Sequence, residues 1–412
     1  MNRLTGQNAG VSGPPPYLFG ITNLPFGVAN AYAAVAMPFI LRKAGVPVET
    51  IATLGAIALI PSAYQLFWAP VLDLKIRRRT WLVLCAGLGA LCLGASMLLK
   101  LPEQLVPFEV LLVLGAGLVS LVGSCNGALI STTLDPSQRG RAAGWFNAAF
   151  MGATALGGGA LLTTCHHFGA VVGSVVLTAM IFLPSLAALT IEEPAPAKTP
   201  LFQHLRRMMR EVWSALSSKQ GLSGVLLCLS PVGTVALTYL WSALGADFGG
   251  SERAVQLVNG YVGGLITAVA CLVTGYALDR INPRVAYLAG GALTAVCCIV
   301  MALAPQSEVT FIVGASCYLL VAGLCYAAFS ALIYQISGSA KEGASSLYTI
   351  FSAAGNQAIA YTLFLDGKAH AVWNTNGLLW CDAALNACGV VVLLLLLFTV
   401  FRTKRPTGQT RV

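Results

Sequence analysis

Four cations follow the carboxylate Asp73 within six residues: Lys75, Arg77, Arg78 and Arg79. A carboxylate beside guanidinium groups forms short charge-assisted hydrogen bonds, and it can also cap the positive amino end of a helix. Neither is bond-making chemistry. Both hold two elements together and can be released. A shorter copy, Asp279-Arg280, ends the stretch Gly275-Tyr276-Ala277-Leu278, and a further polar turn reads Asp135-Pro136-Ser137-Gln138-Arg139-Gly140-Arg141. Its partner position later in the chain is Lys341-Glu342-Gly343. Asp279 lies 206 positions after Asp73, half of the 412-residue chain, and a junction repeated at that offset points to an internal duplication.

Other chemistries find little support. The 12 cysteines fall mostly within apolar runs, without a CxxC pair or a His/Cys cluster at ligand spacing, so they read as small hydrophobes and imply neither disulfides nor metal. Gly157-Gly158-Gly159 is not followed by Gly-Lys-Ser/Thr, so no nucleotide cofactor is implied. An integral membrane enzyme would need a polar catalytic cluster, and the carboxylates here are dispersed.

The elements that must carry these residues are set by composition. The chain is 57% hydrophobic and 9% charged, with mean hydropathy +0.78, where a soluble domain is about a quarter charged. It reads as an all-α polytopic membrane protein. Twelve spans fit the apolar runs, at about 17–40, 51–72, 81–100, 107–132, 142–165, 169–190, 221–245, 254–277, 284–304, 309–337, 343–365 and 377–401. The runs are about twice the length of barrel strands and lack period-two alternation. Residues 17–190 and 221–401 form two pseudo-symmetric six-helix halves, between tails 1–16 and 402–412. The amino-terminal tail lacks the pattern of a cleaved signal peptide.

Of the 24 Lys and Arg residues, five fall outside when the amino terminus is placed inside: Arg42, Lys43, Lys100, Arg253 and Lys368. The other 19 are then cytoplasmic, which places both termini there. The net charge of +9 belongs to these turns and to anionic lipid headgroups, not to nucleic acid. The linker 191–220 opens on Glu192-Glu193-Pro194 and continues with Leu201, Leu205, Met208, Val212 and Leu216 at helical spacing, with His204, Arg206, Arg207 and Arg210 largely on other faces. That pattern predicts an amphipathic helix in the inner interface.

Within the spans the polar residues are mostly neutral: Asn30, Tyr64, Gln65, Ser124, Asn126, Thr234, Thr238, Tyr239, Tyr326, Asn356 and Gln357. An amide in lipid must find partners, either across helices or in a water-filled cavity, and both placements stay open here. No carboxylate is expected at the middle of a span. A coupling proton would use Glu109 or Asp382 near span ends, or His166-His167.

The Asp73/Arg77–Arg79 and Asp279/Arg280 junctions resemble the acidic and basic positions of the motif after spans 2 and 8 in the major facilitator superfamily. Leu24-Pro25-Phe26-Gly27, Phe67-Trp68-Ala69-Pro70 and Asp135–Arg141 resemble its AmpG-like branch of muropeptide permeases and acetyl-CoA transporters. The resemblance implies alternating access to a midplane site, secondary active transport of an organic solute across a bacterial inner membrane, and a proton as coupling ion. It also implies a gate built from Asp73, Arg77, Arg78, Arg79, Arg139, Arg141, Asp279 and Arg280. Spans 1, 4, 7 and 10 would then line a pocket carrying Asn30, Asn126, Tyr239 and Tyr326, flanked by Tyr64, Gln65, Asn356 and Gln357. The branch carries acidic residues in span 4, where this chain reads Val122-Gly123-Ser124-Cys125-Asn126-Gly127. Siderophore import, export of amphiphilic compounds, or a sensor on the same scaffold stay open beside muropeptide uptake.

Overall fold

The computed structural model describes residues 13–47, 50–51, 54, 57–58, 61, 65–67, 69–73, 76–193, 201–339 and 343–399. Tyr64, Trp68, Lys75, Lys341, Glu342 and the carboxy-terminal tail lie outside them, as does most of the amino-terminal tail. Every regular element among the described residues is helical.

Among the described residues eight helices are long and apolar enough to cross a membrane, and the twelve-span count is not reached by these alone. Two of the eight are double. Arg139–Ser185 has 47 residues, far beyond the roughly 20 that cross a bilayer. It breaks at Gly169, whose φ of 81° is open to glycine and strained for other residues. Arg141 near its start and Leu189 just beyond its end both lie at the Asp73 end of the bundle, so the chain doubles back between them. Ala344–Thr399 turns likewise at Trp373 and Asn374, where Asn374 adopts φ 56°.

Span 7 departs most from expectation. The helix Lys219–Leu229 stops before Pro231, which has no N–H to donate, and Gly233 and Val235 follow with φ 64° and 45°. A single 3-10 turn, Ala236–Tyr239, and the short helix Trp241–Leu244 complete the run. Such a break survives at membrane depth only where other groups satisfy its backbone. Asn386 Oδ1 accepts from the Gly233 N–H at 2.9 Å, and the Tyr318 hydroxyl accepts from the Leu237 N–H at 3.4 Å.

The helix Leu201–Ser217 forms as its periodicity predicts, but its apolar stripe is used differently. Met208 and Val212 are buried against Gly343, at the start of span 11. The exposed apolar residues are Phe202, Met209 and Trp213, one neighbouring face of the helix. Met208, Val212 and Leu216 of the expected stripe thus pack on protein, and the face carrying Phe202, Met209 and Trp213 stays uncovered.

Candidate functional site

Asp73 ends the short helix Ala69–Leu72, where the chain turns before the helix Arg78–Ser96. Its side chain is buried. Arg78 donates to Asp73 Oδ1 through Nη2 at 3.0 Å and Nε at 3.1 Å. From the other half of the chain, the backbone N–H groups of Ser345 and Ser346 donate to Asp73 at 3.2 and 3.0 Å, and the Ser346 hydroxyl at 2.9 Å. Ser345 and Ser346 open the helix Ala344–Thr399, so the carboxylate caps that helix across the two halves.

A second bond between the halves lies at the start of Arg139–Ser185. Arg141 Nε pairs with Asp279 Oδ2, and the Arg141 N–H donates to Oδ1 at 3.3 Å. Arg139 donates to the carbonyls of Ser131 at 2.7 Å and Tyr334 at 3.3 Å, bridging spans 4 and 10. Arg79 instead donates to the Leu189 and Ile191 carbonyls within its own half. Arg77 and Arg280 form no side-chain hydrogen bond or ion pair among the described residues; Arg77 precedes the helix Arg78–Ser96 and Arg280 is exposed.

Above this closed end lies a cavity of about 230 Å³ between the halves. Its wall carries eight aromatic rings: Phe26, Phe146, Phe150, Tyr239, Tyr287, Tyr326, Phe329 and Tyr348. Gln65, Ser120, Ser124, Asn147, Thr234, Ser330, Ser352 and Asn356 supply its polar side chains, and among the described residues no charged one lines it. Of the expected pocket residues, Gln65, Tyr239, Tyr326 and Asn356 come together here. Asn126 does not: its amide donates to the Phe19 carbonyl at 2.9 Å and its carbonyl accepts from Thr22, locking span 4 to span 1. Asn30 reaches Thr154 at 3.4 Å, and neither it nor Gln357 is in the wall. For the two asparagines tertiary packing took the amide that the sequence left open.

A sequence model of the Major Facilitator Superfamily matches residues 19–362. The chain belongs to that superfamily. It is a multi-pass membrane protein of a transporter family. Solved superfamily structures share its fold at low identity. The E. coli fucose:proton symporter superposes with TM-score 0.69 at 14% identity, over 92% of this chain and 98% of its own. A human organic anion transporter gives 0.67 at 15%, over 92% and 100%. A bacterial homologue of the iron transporter ferroportin, in its outward-facing state, gives 0.66 at 14%, over 92% and 98%. No curated protein matches the chain in sequence.

Two residues of this superfamily member escaped sequence reasoning. Asn147 donates to the Ser330 hydroxyl at 2.8 Å and the Tyr326 carbonyl at 3.3 Å, joining the halves at the floor of the cavity. It sits one turn beyond Ala143, directly after Trp145 and Phe146, and only its amide type could have flagged it. Glu193 caps the helix Arg78–Ser96, its oxygens accepting from the backbone N–H groups of Arg78 and Arg79 at 3.2 and 3.1 Å. It also lies 3.9 Å from the Arg78 guanidinium. Glu193→Ala is expected to cost about 1 kcal/mol or somewhat more, the usual worth of a lost cap, read as a lower melting temperature of the purified protein. An unchanged melting temperature would show that the cap is not holding this helix end.

Proposed function

We propose that this chain is a secondary active transporter carrying an uncharged, amphiphilic organic solute by alternating access. The cavity wall carries the reading. Aromatic faces stack on apolar or sugar-like surface, and a few amides and hydroxyls orient the solute. A wall without charge disfavours a strongly ionic solute, whose desolvation nothing there would offset. At about 230 Å³ in this closed state the cavity lies below the range of organic-ligand sites, which run from about 300 Å³ upward, so it fits a small solute.

In this proposal residues 17–190 and 221–401 rock against each other about the cavity. Asp73, Arg78, Arg139, Arg141 and Asp279 lock one end and release it, with Arg79 bracing the linker and Arg77 and Arg280 adding charge at the same surface. The Lys and Arg asymmetry supports placing this end, and both termini, in the cytoplasm, and the motifs support a bacterial inner membrane. No enzymatic step is assigned to it.

Muropeptide-like uptake within the AmpG-like branch is the second reading. It is favoured by the first-half motifs, one of which supplies Phe26 to the cavity wall.

Thermal stability of the full-length protein against a panel of uncharged amphiphiles, siderophores and anhydromuropeptides tests both. A ligand that binds the fold stabilises it by about 2.7 kcal/mol at a hundred times its Kd. A saturable rise with an uncharged amphiphile is expected, weakened about tenfold or more in Phe150→Ala and Tyr326→Ala, a loss of about 1.4 kcal/mol each. A rise confined to anhydromuropeptide would move the assignment to the second reading, and one confined to charged siderophores would overturn both.

A further inference from the structure

We propose that Asp366 and Asp382 form a proton-binding site inside the second half of the chain, outside the cavity, with the proton on Asp366. Both carboxylates are wholly buried. They lie on the two arms of the Ala344–Thr399 hairpin, close enough for their charges to interact. Asp382 sits eight residues beyond the Asn374 corner, about 12 Å along the helix. The sequence places Asp382 near the outer end of span 12, and the structure adds Asp366 beside it.

The two acids differ in their partners. Asp382 Oδ2 accepts from the Cys298 thiol at 3.1 Å and the Tyr318 hydroxyl at 3.4 Å. Its Oδ1 meets no hydrogen-bond partner among the described residues. The Cys381 thiol, a weak donor, lies beside Asp366, and neither Asp366 oxygen meets a stronger donor among the described residues. One turn earlier, the buried Thr362 hydroxyl is also unpartnered.

Among the described residues no cation offsets this charge. The groups facing the pair from the neighbouring helices are the Cys298 and Cys325 thiols and the Tyr318 phenol, none of which is positive in either protonation state. Lys368 is exposed, its ammonium 5.6 Å from the Phe364 ring centre, and His370 pairs with Asp247 at the outer corner. An unpaired ionised carboxylate in such surroundings is strongly disfavoured, and a second one beside it adds repulsion. A proton drawn from water onto one Asp366 oxygen removes that charge and supplies a donor. Among the described residues no group of three or more ligands could hold a metal ion.

The site is wired to the cavity. Tyr318 joins Asp382 to the Leu237 N–H, and Asn386, one turn beyond Asp382, holds the Gly233 N–H while donating to the Asp382 carbonyl at 3.0 Å. These bonds hold the broken segment of span 7 that presents Gly233, Thr234 and Tyr239 to the cavity. Loss or gain of the Asp366 proton changes the charge beside Asp382, which belongs to the network that positions part of the wall. Its role as the coupling ion rests on the transporter reading; the existence of the site does not.

Infrared spectroscopy of the full-length protein in lipid tests it without a substrate. At neutral pH the wild type is expected to show a carboxylic-acid C=O band that disappears on alkaline titration. The band is lost in Asp366→Asn, retained in Asp382→Asn with its titration displaced, and unchanged in the control Asp247→Asn. No band at neutral pH, or one that survives Asp366→Asn, would overturn the proposal. A band seen only when sodium is left out would reassign the site to a monovalent cation. Failure to find any transported solute would defeat the transporter reading and leave this result legible.

Discussion

Asp73→Asn is expected to loosen the closed end of the bundle and to expose the buried thiol of Cys125 at least tenfold faster to a water-soluble thiol reagent. The carboxylate serves two strangers at once. It neutralises Arg78, whose side chain is only 11% exposed, and it accepts three hydrogen bonds from the first turn of the helix Ala344–Thr399. Asparagine keeps one acceptor oxygen and loses the charge. Arg78 then loses its Asp73 charge partner while Glu193 stays 3.9 Å away, and breaking one partner out of a buried pair typically costs about 3–5 kcal/mol. Part of that falls on the contact between the halves, and about 1.4 kcal/mol already shifts an open–closed equilibrium tenfold. Cys125 is wholly buried in span 4, so its labelling, read by mass spectrometry, reports the opening. Asp73→Asn/Arg78→Gln is expected to be less damaging than the sum of the single changes, because no unpaired cation is left behind. Labelling and stability both unchanged in Asp73→Asn would remove Asp73 from the gate.

The second large effect is steric. Gly144→Ala is expected to abolish closure of the same end, whereas Gly152→Ala on the same helix is expected to be tolerated. A Cβ at Gly144 would lie 2.7 Å from the Cys271 carbonyl oxygen and 2.8 Å from the Gly275 Cα. Both are backbone atoms of the helix Tyr261–Ala277, so the helices must part, at about 1–3 kcal/mol for overpacking of this kind. Gly152 has open space where its Cβ would go, and alanine there gains up to about 1 kcal/mol of helix propensity. The readouts are melting temperature and labelling of Cys271, which is buried beside the contact. Equal behaviour of the two variants would show that the close approach of these helices is not what seals this end.

Much of the architecture was legible because the membrane imposes one-dimensional rules. Lipid leaves backbone groups no solvent partner, so apolar runs of about 20 residues must be helices, and the runs, the polar turns and the Asp73 and Asp279 junctions could be read off directly. That Asp73 could cap a helix followed from its charge and place in the chain. That the helix would be Ala344–Thr399, some 270 positions later, did not, since a carboxylate does not announce its partner.

The tertiary structure decided whatever depends on which face of a helix meets which neighbour. Asn126 and Asn356 look alike in sequence, yet one locks two helices and the other faces the cavity. Helix periodicity in a bundle buried by both protein and lipid is weak, because all faces are apolar and the inward one carries no signature. Span 7 read as a continuous run, but Pro231 and Gly233 could break it only because Asn386 and Tyr318 stand ready to satisfy its backbone. Asp366 and Asp382 are 16 residues apart across a hairpin, and their shared burial is created by spans 9 and 10 folding over them. Composition and spacing thus determined that this is a bundle of membrane helices with paired charged junctions. Only the packing of those helices determined which polar groups face a cavity, which face each other, and which were left buried without a partner.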